Sequence, residues 1–286
     1  MKRIITAFFV VALGFAAVAQ DAPTADQVID KYLAAIGGKD ALAKIEDLSL
    51  NITGEMQRNG QPFTIEMESK QKKPNKFMSV GYAFGQEVSR TVCDGAKVSS
   101  SRNMMGSQQT NVTEGTDATL QILQQSLFPE LLYDTYKIQK AVVGKDTASG
   151  KSAWKVEFAT AEGKKWLELF DAESGLKLRR IVPMEGRPNR DSPGGGAPNA
   201  GGGPGGQRGG MGGAGTANVT FSDYKDVKDG GGVKIPFTRQ QGGGQFMMKM
   251  TVSSAKANKG AKDSAFEVKW FPEIPWKPFY SWHDWQ

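Results

Sequence analysis

Histidine and cysteine are nearly missing from this 286-residue chain, which holds one of each, His283 and Cys93. A lone cysteine excludes an internal disulfide, so the fold must be held by burial and strand pairing, with Cys93 expected as a buried free thiol. The lone histidine, fourth from the C-terminus, excludes a two-histidine zinc motif and a firmly held Ser-His-Asp triad, and with them most hydrolase mechanisms. Carboxylates are plentiful, among them Glu55, Glu66, Glu68, Asp94, Glu157, Glu168 and Asp171, and a glycosidase needs only a pair. They alternate with apolar residues, however, as the solvated face of a strand does. We therefore expect no catalytic residue, no metal site and no cofactor. Blocks of like charge are absent too: the formal charge of +6, two of it on Lys2 and Arg3, is spread along the chain, which argues against nucleic-acid binding.

Long apolar runs are confined to the start. Lys2 and Arg3 precede an apolar stretch over 4–18 that ends in Ala17-Val18-Ala19, the layout of a cleaved secretory signal over 1–19. The run is shorter than the roughly 20 residues needed to span a bilayer. No cysteine follows it to accept a lipid, so the mature protein is expected to be soluble in the periplasm.

Beyond the leader the chain is clearly patterned. Thr24 to Gln27 forms a capping box, Val28, Ile29, Tyr32, Leu33 and Ile36 recur on one helical face, and Gly37-Gly38 stops the helix. Asp40 suits the cap of a short second turn carrying Leu42 and Ile45. The period then changes to two. Strands are expected at 48–57, 63–70, 76–84, 87–93 and 97–104, separated by short Gly, Asn and Pro turns of an antiparallel meander. A helix from Thr116 or Asp117 carries Leu120, Leu123 and Leu127, and Pro129 opens a turn through Leu131 and Leu132. Further strands are expected at 136–143, 152–160, 164–171, 176–183, 218–227, 233–237, 245–253 and 265–270. From these thirteen stretches we expect a sheet of about eleven strands, too many for a flat one, which implies strong curvature.

Two segments stand apart. Residues 186–216 are glycine, proline and asparagine with a few arginines; they have little to bury and read as a disordered insertion. Walker spacing is absent, so the glycines do not read as a phosphate loop. The tail, 270–286, spaces Pro272, Pro275 and Pro278 among aromatics, an extended rod suited to packing on its own protein or on an envelope partner.

The stretch from Val28 to Leu42 and the late hairpin, Phe221 to Val227 with Gly232 to Phe237, resemble the outer-membrane lipoprotein-sorting proteins, relatives of the periplasmic lipoprotein carrier LolA. The resemblance implies a mainly β fold, a strongly curved antiparallel sheet forming an unclosed barrel whose concave side helices cover, over residues 20–269. It also implies a non-enzymatic function, sheltering acyl chains of a lipid or lipoprotein between sheet and helical lid. Residues compatible with such a cavity are Met78, Val80, Tyr82 and Phe84; Trp154, Val156 and Phe158; Trp166 and Phe170; and Phe246, Met248 and Met250, grouped by strand face. Leu120, Leu123, Leu127, Leu131 and Leu132 form the matching lid face. Arg90, mid-strand between Val88 and Val92, is the nearest match to the carriers' inward arginine and reads equally as an exposed one. The same aromatics and methionines also suit a filled core. The alternative function is thus a structural or partner-docking envelope module. On the carrier reading the protein is a monomer in transient contact with membranes.

Overall fold

The computed structural model describes residues 22–58, 61–104, 107–183, 216–243 and 246–268. The leader at 1–19, the insertion up to residue 215 and the tail at 270–286 lie outside the described residues. Two helices, α1 (Ala25–Ala35) and α2 (Lys39–Ala43), precede six strands: β1 (Asp47–Arg58), β2 (Gln61–Lys72), β3 (Lys76–Ala83), β4 (Gln86–Cys93), β5 (Lys97–Met104) and β6 (Ser107–Glu114). Helix α3 (Thr116–Gln125) and a 3-10 turn at Pro129–Leu131 lead to β7 (Gln139–Ala148), β8 (Lys151–Ala159), β9 (Lys165–Asp171) and β10 (Lys177–Pro183). The last strands are β11 (Thr216–Asp226), β12 (Lys234–Gly243) and β13 (Phe246–Ala257), followed by a 3-10 turn at Asp263–Phe266.

All thirteen strands join one antiparallel sheet in the order β6-β5-β4-β3-β2-β1-β13-β12-β11-β10-β9-β8-β7. The chain starts in the middle, meanders out to β6, crosses to the far edge through α3, and meanders back until β13 pairs with β1. The sheet is an unclosed half-barrel whose gap lies between β6 and β7. Register shifts at Asn51/Ile52, Gly81/Tyr82, Val142/Gly144 and Lys177/Arg179 are the irregularities that bend strands and increase twist.

Two sequence expectations need correction. Among the described residues the sheet holds thirteen strands rather than about eleven, and one of them, Ser107–Glu114, is a strand that the alternation did not reveal. The strand expected at 265–270 is instead, over its described part, the end of a 3-10 turn. That turn places Phe266 beneath Met78, Val80 and Val92. The buried Asp47 carboxylate accepts hydrogen bonds from the backbone N–H groups of Lys259 and Gly260, both at 2.9 Å, and Ala261 at 3.2 Å, fixing the path of this segment.

Helix α1 has the expected capping box and buries Val28, Ile29, Tyr32 and Leu33. These pack with Leu48, Leu50 and Ile52 of β1 and the aromatics of β8 and β9 in the largest core cluster. Gly37 ends the approach at φ +129, where an added Cβ would lie 3.1 Å from Gly232 O and from Val233 Cα. The Lys234 N–H donates to Ile36 O at 2.9 Å, and Lys31 Nζ donates to Ala172 O at 2.7 Å. The amino-terminal helix is therefore pinned where the β9–β10 and β11–β12 turns lie. At the opposite rim are the β3–β4 turn, the facing ends of β1 and β2, and those of β12 and β13. Toward that rim, the helix-facing side of β2, β1, β13, β12 and β11 is only half covered.

Candidate functional site

Because side chains alternate and register is fixed, the residues that share the helix-facing side can be traced across the sheet. On β2 and β1 the row holds Phe63 opposite Met56 and Ile65 opposite Gly54; Met56 in turn faces Met248 of β13, and Gly54 faces Met250. Arg239 of β12 lies opposite Met250, and Phe221 of β11 lies opposite Arg239. Gly54 lowers the floor of this trough, and Met248 Sδ and Ile65 Cβ lie 3.8 and 3.9 Å from where its Cβ would be. The surrounding Met56, Phe63, Ile65, Phe221, Met248 and Met250 are half-buried. Methionine adapts its shape to irregular apolar partners, which makes such a surface tolerant of variable chains.

Next to the trough the interior turns ionic. Lys177 of β10 pairs with Glu130, from the turn after α3, and its Nζ lies 2.8 Å from Glu168 Oε2; Arg180 Nε donates to Glu168 Oε1 at 2.6 Å. Lys177 also sits over the Tyr32 ring, 5.0 Å from its centroid. Burial alone would raise the Glu168 carboxyl, but the charges of Lys177 and Arg180 overcome it and hold the group below the usual carboxylate range. Burial pushes the Tyr32 and Tyr224 phenols up, with the nearby carboxylates adding to the rise. Tyr224 donates its hydroxyl proton to Lys177 O at 2.9 Å. The cluster thus ties the crossover after α3 to the sheet.

A cavity of about 90 Å³ opens among Tyr32, Glu130, Lys177, Arg180, Tyr224 and Arg239. That is room for about three waters, well below the roughly 300 Å³ at which drug-sized ligands are held. It suits a small polar group rather than a hydrocarbon chain.

No protein-family model and no curated protein sequence matches the chain. Solved structures do. A DUF1329 family protein from Desulfovibrio piger superposes with a TM-score of 0.52 at 11 % identity, covering 85 % of this chain and 97 % of that one. An outer-membrane lipoprotein-sorting protein domain from Vibrio parahaemolyticus gives 0.52 at 10 % identity, covering 84 % and 94 %. A LolA superfamily protein from Nitrosomonas europaea gives 0.53 at 8 % identity, covering 86 % and 98 %. The fold is LolA-like. At these identities the likeness is one of fold, and the chemistry has to be read from this chain's own residues.

Within the LolA-like sheet the residues singled out from the sequence fall in different places. Trp154, Val156, Phe158, Trp166 and Phe170 share the helix-facing side, but in a closed core: Val156, Phe158 and Phe170 are fully buried, and Phe158 stacks on Trp166 with centroids 5.2 Å apart and planes at 11°. Tyr133 lies against Phe158 at 5.1 Å. Met248 and Met250 lie in the trough. Met78 and Val80 are buried on the outward side under Phe266 with Tyr82 packed beside them, while Phe84 is 91 % exposed in the β3–β4 turn. Phe246 begins β13, and its side chain is outside the described residues. Of the lid leucines, Leu123 and Leu127 are buried in the main cluster, Leu120 and Leu132 pack against it, and Leu131 is exposed. Arg90 points outward and is held by Glu87, its Nε donating to Oε1 at 2.7 Å. Among the described residues, Arg180 and Arg239 are the largely covered arginines on the helix-facing side. Alternation alone did not mark them, because basic residues in a strand read as solvated until register shows which side they share.

Proposed function

We propose that the protein binds acyl chains of a lipid or lipoprotein along the open trough and carries them through the periplasm without catalysing a reaction. The observation that carries this reading is the half-buried row of methionine and aromatic side chains on β2, β1, β13 and β11, with Arg239 its member on β12. Five strands span about 19 Å at the usual spacing. Each methylene sheltered there contributes about 0.8 kcal/mol. The LolA-like fold supports the reading, as does the likeness to the Vibrio lipoprotein-sorting protein domain. The signal-like start of the sequence supports the location.

Adjacent residues on opposite sides of β13 give the test. Met248 lies in the trough, whereas Met247 is 55 % exposed on the outward side. Met248→Lys is expected to lower uptake of a fluorescent fatty acid by about tenfold or more, since a charge in apolar surroundings is costly to desolvate. Met247→Lys is expected to leave uptake unchanged. Equal effects of the two substitutions, or no uptake by the unsubstituted protein, would overturn the reading. A docking module is the second reading, supported by the closed packing of Phe158 and Trp166. Native mass spectrometry of protein taken from its own envelope separates them, with bound lipid expected here and a defined protein partner without lipid expected for docking.

A further inference from the structure

Arg239 is a cation in an unusual position. Its cross-strand neighbours are Phe221 and Met250, so it interrupts the apolar row of the trough, and it also lines the 90 Å³ cavity. Its Nε is buried with no hydrogen-bond partner, and among the described residues no carboxylate pairs with it. Both carboxylates of the neighbouring cluster are already occupied, Glu130 by Lys177 and Glu168 by Lys177 and Arg180. The cluster therefore holds three cations against two carboxylates, and the unbalanced one is Arg239.

An arginine placed this way is costly unless something completes it. Arg239 is half-buried as a whole, with Nε its covered atom; a guanidinium stays charged in a protein, and one partly withdrawn from water without a counter-ion is destabilising. Burial together with the positive charge of Arg180 pushes the Arg239 guanidinium below the usual arginine range, as expected where positive charge is in excess. The planar fork of an arginine matches the two oxygens of a carboxylate or phosphate. The small cavity has room for such a group, and the trough beginning at Met250 and Phe221 has the surface for the chain attached to it.

Building on the acyl-chain reading above, we propose that Arg239 binds the anionic end of the ligand, a carboxylate or phosphate seated at the mouth of the cavity, while the hydrocarbon lies along the methionine row. Arg180 adds to the positive field without giving up its pairing to Glu168. The site then discriminates by charge at one end and tolerates variation along the other. Oleate and a phosphate-headed lipid share this chemistry, whereas a neutral lipid of equal chain length lacks it.

The test is calorimetric titration of the full mature chain with oleate, with oleyl alcohol and with inorganic phosphate, at pH 8, for the unsubstituted protein, Arg239→Met and Arg239→Lys. Oleate is expected to bind at least about tenfold more tightly than oleyl alcohol, the scale of a charged hydrogen bond. Arg239→Met is expected to abolish that difference by weakening oleate alone, and Arg239→Lys to keep part of it. Thermal melting checks folding, and Arg239→Met is expected to melt no lower than the parent, because it removes an uncompensated charge. Equal binding of the two ligands by the parent, or equal weakening of both by Arg239→Met, would overturn the anion site and leave the acyl-chain reading standing. Binding of inorganic phosphate that Arg239→Met abolishes, with neither chain bound, would keep the anion site as one for free phosphate and overturn the acyl-chain reading. No binding of any of the three would overturn both.

Discussion

Lys177 holds two carboxylates at once, and this makes its removal unlike the removal of a surface lysine. Lys177→Met leaves Glu130 without its partner and Glu168 with Arg180 alone, and is expected to cost about 3–5 kcal/mol in urea unfolding. Adding Glu130→Leu to that variant should recover part of the loss, a coupling that a double-mutant cycle measures directly. Tyr133 shows the opposite sign. Its hydroxyl is buried among Phe158 and Trp166 without a hydrogen-bond partner, so Tyr133→Phe is expected to leave the thermal midpoint unchanged or raise it. Asp171 links stability to pH. Burial would raise its carboxyl, but Lys151 and the backbone N–H groups of Glu173 and Ser174 lower it to about 2. A folded-state value below the unfolded one stabilises the protein above about pH 4, and that contribution is lost as the pH falls toward 2. Acid unfolding of Asp171→Asn should therefore show a flatter dependence across that window than the parent.

Elements were legible where they carry an apolar face. The box at Thr24, the periodicity through Leu33 and the Gly37-Gly38 stop mark α1 without ambiguity, and most strands announce themselves by alternation and turn residues. Strand β6 did not, because Ser107–Glu114 carries Val112 as its sole large apolar residue; an edge strand lying in part under α3 needs no continuous apolar side. The candidate site was legible only in pieces. Alternation sorts each strand into two sides but does not say which side is shared with the next, so Met78 and Val80 were grouped with residues that register places across the sheet from them. The arginines and Lys177 were invisible for the same reason. The insertion yields a prediction at this scale. Pro183 pairs with Thr216, so its two ends are neighbours, and replacing residues 186–214 by a short turn is expected to preserve the thermal transition, since loop-closure cost changes slowly with length.

At the scale of the molecule, the two free edges β6 and β7 are consecutive in sequence, and the crossover between them spans the gap, with Lys164 Nζ of the β8–β9 turn 3.0 Å from Asp117 of α3. The opposite side of the half-barrel has another character. There Leu48 meets Ala257 and Met56 meets Met248, so the first strand of the sheet is zipped to the last. Time enters through this seam. Strand β1 and its partner β13 stand far apart in sequence, and until they meet one edge of β1 is an exposed template for other chains. Contacts so distant in sequence place refolding at the slow end of the range for small domains, milliseconds to seconds or longer. The interval before the seam closes, rather than the stability of the finished sheet, is then when this chain is most exposed to aggregation and most dependent on being kept apart from its neighbours.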